Sequence, residues 1–336
     1  MFTVENRKIR DKELACASKS LPTVAVSLGG RVFVSYLCGS VENGGARRAK
    51  VAYADDGENF TNIAVNIEAA EDGTLECARV WIDPENRLWV MWSSLPEACT
   101  RYCVCADADA EELEFGEVTD TPLGTLISRP VVLSDGTYLF ASGVGLRETK
   151  LRREGERKRG VYIGKLCDDG MKICNKLYGN TSVFDTICLA EIGGKIESFI
   201  RAPHGIEKNT SSDGAATFSG VKNCGYGDYE SKFTASVLPT GNFIMLNNVN
   251  LMTDDHMVLT AFLSHDGGQS FKGVTPIYDG DGKVSAPDVY MRGEVIYAVY
   301  AIDDGVSSHV YLSKFTEGDI LDGKLNTVGG ESGIIF

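Results

Sequence analysis

Short apolar stretches separated by turn residues fill most of the chain, and helical periodicity is nearly absent. The stretches are rich in Val, Ile, Tyr and Phe, and many alternate apolar with polar positions. One pattern, an apolar strand, a tight turn and a second apolar strand, occurs six times. The copies are Leu21–Tyr36, Ala78–Trp92, Ser128–Ser142, Thr186–Ile200, Phe233–Asn247 and Ala286–Tyr300. Each turn contains Gly or Asn, which accept the positive φ of a tight turn, so each copy is predicted to be a β-hairpin.

The six copies recur at a nearly constant separation. Their turns lie at positions 30, 86, 136, 194, 241 and 293, which are 47 to 58 residues apart. Four strands with their turns take about that length in a propeller blade. The spacing therefore predicts an all-β, six-bladed β-propeller that occupies residues 1–336 as a single domain. An all-β sandwich or a β-helix is the alternative, and either would need this spacing to arise by chance.

A second motif lies between the hairpins. The segment Ser264–Phe271 fits the pattern S-x-D-x-G-x-x-[W/F], the Asp-box, and Tyr53–Phe60 and Ser211–Phe218 are weaker copies. The carboxylate at the third position is expected to accept backbone N–H groups across a turn, and the aromatic residue to anchor that turn to its blade. The motif supports the fold rather than an activity.

Taken together, the hairpins and these turns resemble the sialidase (neuraminidase) superfamily, and most closely the bacterial BNR-repeat proteins. The likeness runs through most of the chain. It implies a sialidase-like propeller with exo-α-sialidase chemistry, in which arginines clamp the substrate carboxylate, a Tyr–Glu pair supplies nucleophile and base, and an Asp transfers protons. Lys19, Lys232 and Ala286 stand where the family tends to have other residues. A uronic acid is therefore expected as readily as sialic acid.

Propeller geometry predicts where the site lies, because the starts of the first hairpin strands and the ends of the second ones meet at one face of the disc. The residues expected to bind an acidic sugar there are Arg79, Arg129, Arg201, Lys232 and His204. The residues expected to act in catalysis are Asp288, Glu191, Glu230 and Tyr229, with Tyr226 as an alternative to Tyr229. Second-strand ends such as Tyr36, Trp92, Asn247 and Tyr300 are expected beside them. Rim, turn-capping and loop-packing roles are the structural alternatives.

Composition and charge limit the kinds of partner that the protein is expected to bind. The net charge of −14 repels phosphate backbones and anionic lipids, so neither nucleic acid nor a membrane surface is an expected partner. No apolar run approaches the ~18 residues of a transmembrane helix. Residues 1–20 lack an apolar signal-peptide core, which predicts a cytoplasmic protein with reduced cysteines. Cys103 and Cys105 would share a strand face, but no second ligand pair stands near, so neither metal nor cofactor is expected.

Three functions fit these observations. The leading hypothesis is a glycoside hydrolase of the sialidase-like group that acts on an acidic glycan. The second is a propeller that binds a glycan or a protein without catalysis. The third is a propeller polysaccharide lyase, which would need a His or Tyr base near the arginine clamp.

Overall fold

The computed structural model describes residues 5–8, 19–39, 47–65, 67, 74–95, 99–143, 160–178, 186–202, 205–226, 232–248, 258–280, 282–323 and 325. These residues form 24 strands and a short helix. In chain order the strands are β1 (Glu5–Lys8), β2 (Lys19–Val26), β3 (Val32–Cys38), β4 (Arg48–Ala54), β5 (Thr61–Asn62), β6 (Thr74–Ile82), β7 (Leu88–Leu95), β8 (Cys99–Cys105), β9 (Thr119–Asp120), β10 (Val131–Val132), β11 (Tyr138–Gly143), β12 (Gly160–Cys167), β13 (Gly170–Tyr178), β14 (Ile187–Ile192), β15 (Lys195–Ala202), β16 (Gly205–Ser211), β17 (Lys222–Asn223), β18 (Thr234–Val237), β19 (Phe243–Asn248), β20 (Val258–Ser264), β21 (Gly273–Asp279), β22 (Lys283–Arg292), β23 (Val295–Asp303) and β24 (Ser308–Phe315).

The strands form six antiparallel four-stranded sheets, the blades of a β-propeller. Blades 1 to 5 each use four consecutive strands, β2–β5, β6–β9, β10–β13, β14–β17 and β18–β21, and blade 6 uses β22–β24 with β1. The first two strands of every blade coincide with one of the six predicted hairpins. The predicted all-β, six-bladed propeller is therefore confirmed.

Blade 6 contains strands from both ends of the described chain. Strand β1 pairs antiparallel with β24, with Glu5 opposite Lys314 and Lys8 opposite Tyr311. This pairing completes the sheet and joins the two ends of the ring. This strand was not predicted, because Glu5–Lys8 is a short polar stretch without strand periodicity.

The apolar core is divided among the interfaces between neighbouring blades. Among the described residues, six clusters of buried apolar side chains each join two adjacent blades. Between blades 2 and 3, the rings of Trp81 and Phe140 have centroids 6.3 Å apart. Between blades 6 and 1, Leu312 and Val299 pack with Val24. Because this last cluster closes the circle, burial of apolar area stabilises the toroid as a whole.

The predicted placement of the paired cysteines on one strand face is confirmed. Cys103 and Cys105 are both buried on β8 and belong to the cluster between blades 1 and 2. None of the nine cysteines in the described part of the chain forms a disulfide. Burial raises the pKa of the Cys103 thiol to about 11, so it packs as a small neutral side chain.

A short helix, α1 (Glu317–Asp322), follows the last strand and packs on β21. Its start is a capping box, in which the Thr316 side chain accepts a hydrogen bond from the Asp319 amide and the Asp319 carboxylate accepts one from the Thr316 amide. It ends at Gly323, whose φ of 66° is in the left-handed region. Nowhere in the described part of the chain is there a helix with the length and apolarity to cross a membrane.

The turn at Ser264–Phe271 has the predicted hydrogen bonds. The Asp266 carboxylate accepts the amides of Gln269 and Ser270 at 3.0 and 2.8 Å, and Phe271 packs edge-on against Phe262. Asp213 forms the corresponding turn in blade 4, where Thr217 donates to it from both its amide and its hydroxyl group. These bonds stabilise the ionised form and lower the pKa of Asp213 to about 2.

The blade 1 turn differs from the prediction at its third position. Asp55 forms an ion pair with Arg31, whose Nε lies 2.6 Å from its carboxylate. The neighbouring Asp56 instead accepts the amides of Glu58 and Asn59, at 2.7 and 2.8 Å. The sequence pattern assigned the wrong residue because Asp55 and Asp56 are adjacent carboxylates. Only the contacts across the turn show which of them accepts the turn amides.

The Asp213 turn makes a testable contribution to acid stability. Since the pKa of Asp213 falls from 3.8 to about 2 on folding, its stabilisation is complete above about pH 4 and is lost as the pH falls toward 2. Asp213→Asn should therefore lower the urea midpoint at pH 6, and the difference from wild type should vanish near pH 2. Thr217→Val, which removes one donor, should show the same trend with a smaller difference. A difference that grows on acidification would contradict this role.

Candidate functional site

A small cavity lies where the first strands of the blades meet. Blades 2 to 6 all contribute to its lining, through Arg79, through Ile127–Val131 on the approach to β10, and through residues of β14, β18 and β22. Contributions from five blades locate it on the propeller axis. Its volume of about 40 Å³ accommodates a few waters or one carboxylate-sized group, but no sugar ring.

Arg129 is one of the two arginines that line this cavity. It stands between Ser128 and Pro130, just before β10. Its Nη2 donates to the Val24 carbonyl oxygen at 2.8 Å and to Oδ2 of Asp288 at 2.9 Å. One guanidinium group thus ties together blades 1, 3 and 6.

Asp288 is held by a second donor from blade 1. Its Oδ2 also accepts the Val24 amide at 3.0 Å, and the residue is only 5% exposed. The β22 ladder shifts register between Ser285 and Asp288, and Ala286 has a φ of 50°. A bulge redirects the side chains that follow it, and here it precedes the carboxylate that faces the axis. The Ala-Pro-Asp sequence is therefore the local cause of the position of Asp288.

Blade 1 repeats this backbone arrangement beside it. Strand β2 shifts register between Ser20 and Thr23, and Leu21, which also precedes a proline, has a φ of 51°. A non-glycine residue in the left-handed region of φ destabilises the fold by about 1 to 3 kcal/mol, and this conformation persists where surrounding contacts enforce it. The bonds from Val24 to Arg129 and Asp288 are such contacts. The ion pair therefore also holds two strained strands in register.

Arg79 brings a second guanidinium group to the cavity. Its Nε donates to the Leu126 carbonyl oxygen at 3.2 Å, and its Nη2 to that of Ile127 at 2.9 Å. Both acceptors lie on the segment that leads to Arg129. Backbone carbonyls therefore fix Arg79 of blade 2 relative to Arg129 of blade 3, and the structure brings together two of the three arginines expected in the clamp.

The third predicted arginine and Lys232 lie outside this lining. Arg201 is half-buried near the end of β15, and its amide donates to the Thr186 carbonyl oxygen at 3.0 Å. Lys232 is also half-buried and directly precedes Phe233, which does line the cavity. Tyr229, Glu230 and His204 fall outside the described residues.

Glu191 lies near the hairpin turn of blade 4 rather than in the cavity. Its carboxylate accepts hydrogen bonds from the Ser134 amide at 2.6 Å and from the Ser134 hydroxyl group at 2.8 Å. The contact joins the turns of blades 3 and 4. This corrects the expectation that Glu191 lies with Asp288 at one mouth.

The structure also corrects the expectation that residues at the ends of the second strands lie at the mouth. Tyr36, Trp92, Asn247 and Tyr300 are at most 2% exposed and pack within or between blades. Tyr226, the alternative nucleophile, packs edge-on against Phe271 with ring centroids 5.0 Å apart, and burial raises the pKa of its phenol. An aromatic residue near a strand end fits the rim and the interface between blades equally well, and one sequence does not distinguish them.

Cys188 is a cavity residue that was not among the candidates from the sequence. Its Sγ accepts the Ala235 amide at 3.2 Å, and burial raises the pKa of the thiol to about 11. It is therefore a neutral wall of the cavity. Tyr290 was also missed, although it lies two residues after Asp288 and its alternation with that residue places both on one face of β22.

Comparisons with known proteins relate this geometry to a fold. No protein-family model and no curated protein sequence matches the chain. Among solved structures, a protein of unknown function from Dyadobacter fermentans superposes with a TM-score of 0.72 at 10% identity, over 93% of this chain and 98% of its own. The Hadza microbial sialidase Hz136 gives 0.70 at 15% identity, over 90% of this chain. The fold is that of the sialidase propellers.

The sialidases in this comparison are longer proteins. The chain covers 66% of the Hadza sialidase. It covers 58% of Trypanosoma rangeli sialidase, solved in complex with sialic acid, which superposes with a TM-score of 0.67 at 14% identity over 94% of this chain. At identities this low, the superpositions establish a sialidase-like propeller fold but no activity. An activity has to be argued from the side chains at the axis.

Proposed function

We propose that this chain binds a glycan through a carboxylate-bearing sugar at the axial cavity and hydrolyses the glycosidic bond of that sugar. The observation that carries the proposal is that Arg79, Arg129 and Asp288, from three blades, line one cavity of carboxylate size. Guanidinium groups match a carboxylate in shape and charge. The acid group would enter the cavity while the sugar ring lies above it.

The backbone carbonyls that bind Arg79 and Arg129 support the binding step. They anchor both guanidinium groups before a ligand arrives, so part of the side-chain freedom is already lost before binding. Phe233 and Pro287 add apolar walls to the cavity. A partly apolar site with a few fixed polar groups is the usual composition of a small-molecule pocket.

Asp288 supports the catalytic step, and Tyr229 and Glu230 enter it as predictions from the sequence. Asp288 would protonate the leaving-group oxygen as the bond to the anomeric carbon breaks. The Tyr229 oxygen would attack that carbon after its proton passes to Glu230, and water would later release the sugar. Tyr229 precedes Phe233 of the cavity wall by four residues, a chain length that reaches about 14 Å at most.

A second candidate function is binding without hydrolysis. The observation that favours it is the double engagement of Asp288 Oδ2 by Arg129 and by the Val24 amide. A carboxylate held in this way links the blades. It could donate a proton only after a ligand separates it from the arginine. The chain would then recognise acidic glycans and leave them intact.

A panel of aryl glycosides tests both candidates. Sialosides, glucuronides and galacturonides are compared with glucosides and galactosides, and calorimetry measures binding of the free sugars. Hydrolysis limited to the acidic members supports the proposal, and acidic binding without turnover supports the second candidate. An unsaturated product that absorbs in the ultraviolet would indicate a lyase. Absence of binding and turnover across the acidic members would contradict both candidates.

A further inference from the structure

Tyr290 lies between two charged residues, Asp288 and Arg292, on β22, the first strand of blade 6. It follows Asp288 by two residues and precedes Arg292 by two, so all three share one face of β22. Asp288 and Arg129 form the ion pair of the cavity. The ring of Tyr290 is therefore next to the proposed clamp, although it is not itself part of the cavity lining.

Two guanidinium groups lie within cation–π distance of this ring. The Cζ atom of Arg129 is 4.9 Å from the ring centroid, and that of Arg292 is 5.7 Å from it. Arg292 Nη2 also donates to the Tyr290 hydroxyl oxygen at 3.2 Å. Tyr290 thus has contacts with an arginine of its own strand and with an arginine of blade 3.

The same strand of blade 1 anchors both arginines. Arg129 Nη2 donates to the Val24 carbonyl oxygen and Arg292 Nη2 to the Val26 carbonyl oxygen, each at 2.8 Å. These two carbonyls are two residues apart on β2 and so point the same way. Both guanidinium groups are held against one strand, with the Tyr290 ring in contact with each.

The hydrogen bonds of Arg129 leave part of its orientation open. Its Nε is buried and has no hydrogen-bond partner among the residues that the structure describes, whereas Nη2 makes two bonds. Bonds at one terminal nitrogen allow the guanidinium plane to tilt around it. Contact with the face of an aromatic ring restricts that tilt.

We propose that Tyr290 is a positioning residue, whose ring, steadied by Arg292, sets the plane of the Arg129 guanidinium group for a ligand carboxylate. This inference rests on the proposed function in that the carboxylate belongs to the bound sugar. It assigns Tyr290 an effect on affinity through Arg129, without contact between Tyr290 and the sugar.

The test compares three single variants by calorimetry with N-acetylneuraminic acid, glucuronic acid and their methyl esters. Tyr290→Leu removes the ring, and Tyr290→Phe keeps the ring and removes the hydroxyl group. Tyr297→Leu is the matched control, because Tyr297 is paired opposite Tyr290 on β23, packs against the same core cluster, and has Lys314 rather than an arginine over its ring.

We expect Tyr290→Leu to weaken binding of the acids about tenfold, which corresponds to about 1.4 kcal/mol and lies within the range of a cation–π contact. Affinity for the esters should stay unchanged, since they lack the charge that needs an oriented guanidinium group. Tyr290→Phe and Tyr297→Leu should bind the acids as wild type does. Equal losses for acid and ester, or for Tyr290→Leu and Tyr297→Leu, would show a purely structural role and overturn the inference.

Crystal structures of Tyr290→Leu and Tyr290→Phe separate this inference from the proposed function. If wild type binds no acidic sugar, the proposed function fails, but the position of Arg129 can still be compared. The inference expects Arg129 to leave the Val24 carbonyl oxygen or to tilt in the leucine variant and to keep its place in the phenylalanine variant. An Arg129 that keeps its place in both variants would overturn it.

Discussion

Arg129→Met is expected to weaken binding of acidic sugars about 100-fold and to destabilise the propeller by about 3 kcal/mol. The loss of affinity follows from removing a guanidinium group that makes charge-assisted hydrogen bonds to a carboxylate. The loss of stability follows because Asp288, 5% exposed, loses the cation that pairs with it. Calorimetry with glucuronic acid and N-acetylneuraminic acid, together with urea unfolding, measures the two effects.

Two further variants separate the effects of Arg129→Met. Arg101→Met removes an arginine whose partner, Asp120, is 70% exposed, so it should cost little stability and no affinity. The double variant Arg129→Met with Asp288→Asn removes both charges of the axial pair. It should recover most of the stability and none of the affinity. An Arg129→Met protein that binds acidic sugars as wild type does would remove Arg129 from the site.

Asp288→Asn is expected to change turnover and affinity in opposite directions. Loss of the acid group should lower the rate of hydrolysis about 1000-fold, within the range for a positioned proton donor. Asparagine still offers an oxygen to the Val24 amide, so the strand contact survives. The variant lacks the negative charge that occupies Arg129, and a ligand carboxylate should therefore bind more tightly than to wild type.

Kinetics on the acidic aryl glycosides and calorimetry on the free acids measure both effects of Asp288→Asn. Asp303→Asn is the control, since Asp303 is exposed at the end of β23 in the same blade and accepts the Gly305 amide. It should leave turnover and affinity unchanged. If Asp288→Asn bound acids less tightly, Asp288 would be part of the binding surface rather than a competitor of the ligand.

The parts of the fold that depend on local sequence were predictable. Each hairpin has its own apolar alternation and its own turn glycine or asparagine, so all six were located within a few residues. Strand β1 was not predicted, because four polar residues become a strand only by pairing with β24. The carboxylate of the blade 1 turn was misassigned for a related reason, since contacts rather than pattern distinguish Asp55 from Asp56.

The candidate site was predictable as a set of residue types near strand starts, but not as an arrangement. Arg79, Arg129 and Asp288 were among the candidates, whereas the ion pair joins residues 159 positions apart and depends on the closure of the ring. Glu191 was grouped with them because position along a strand does not show which end of the blade a side chain reaches. Tyr290 was absent from the candidates because its relation to Arg129 also crosses from one blade to another.

A crystal structure of the wild-type protein, from crystals soaked with glucuronic acid or N-acetylneuraminic acid, tests directly whether an acidic sugar binds at the axial cavity. The carboxylate of the sugar is expected between the guanidinium groups of Arg79 and Arg129, within hydrogen-bond distance of both, with its ring above the cavity. A sugar bound at another face of the disc, with the Arg129–Asp288 pair undisturbed, would contradict this assignment.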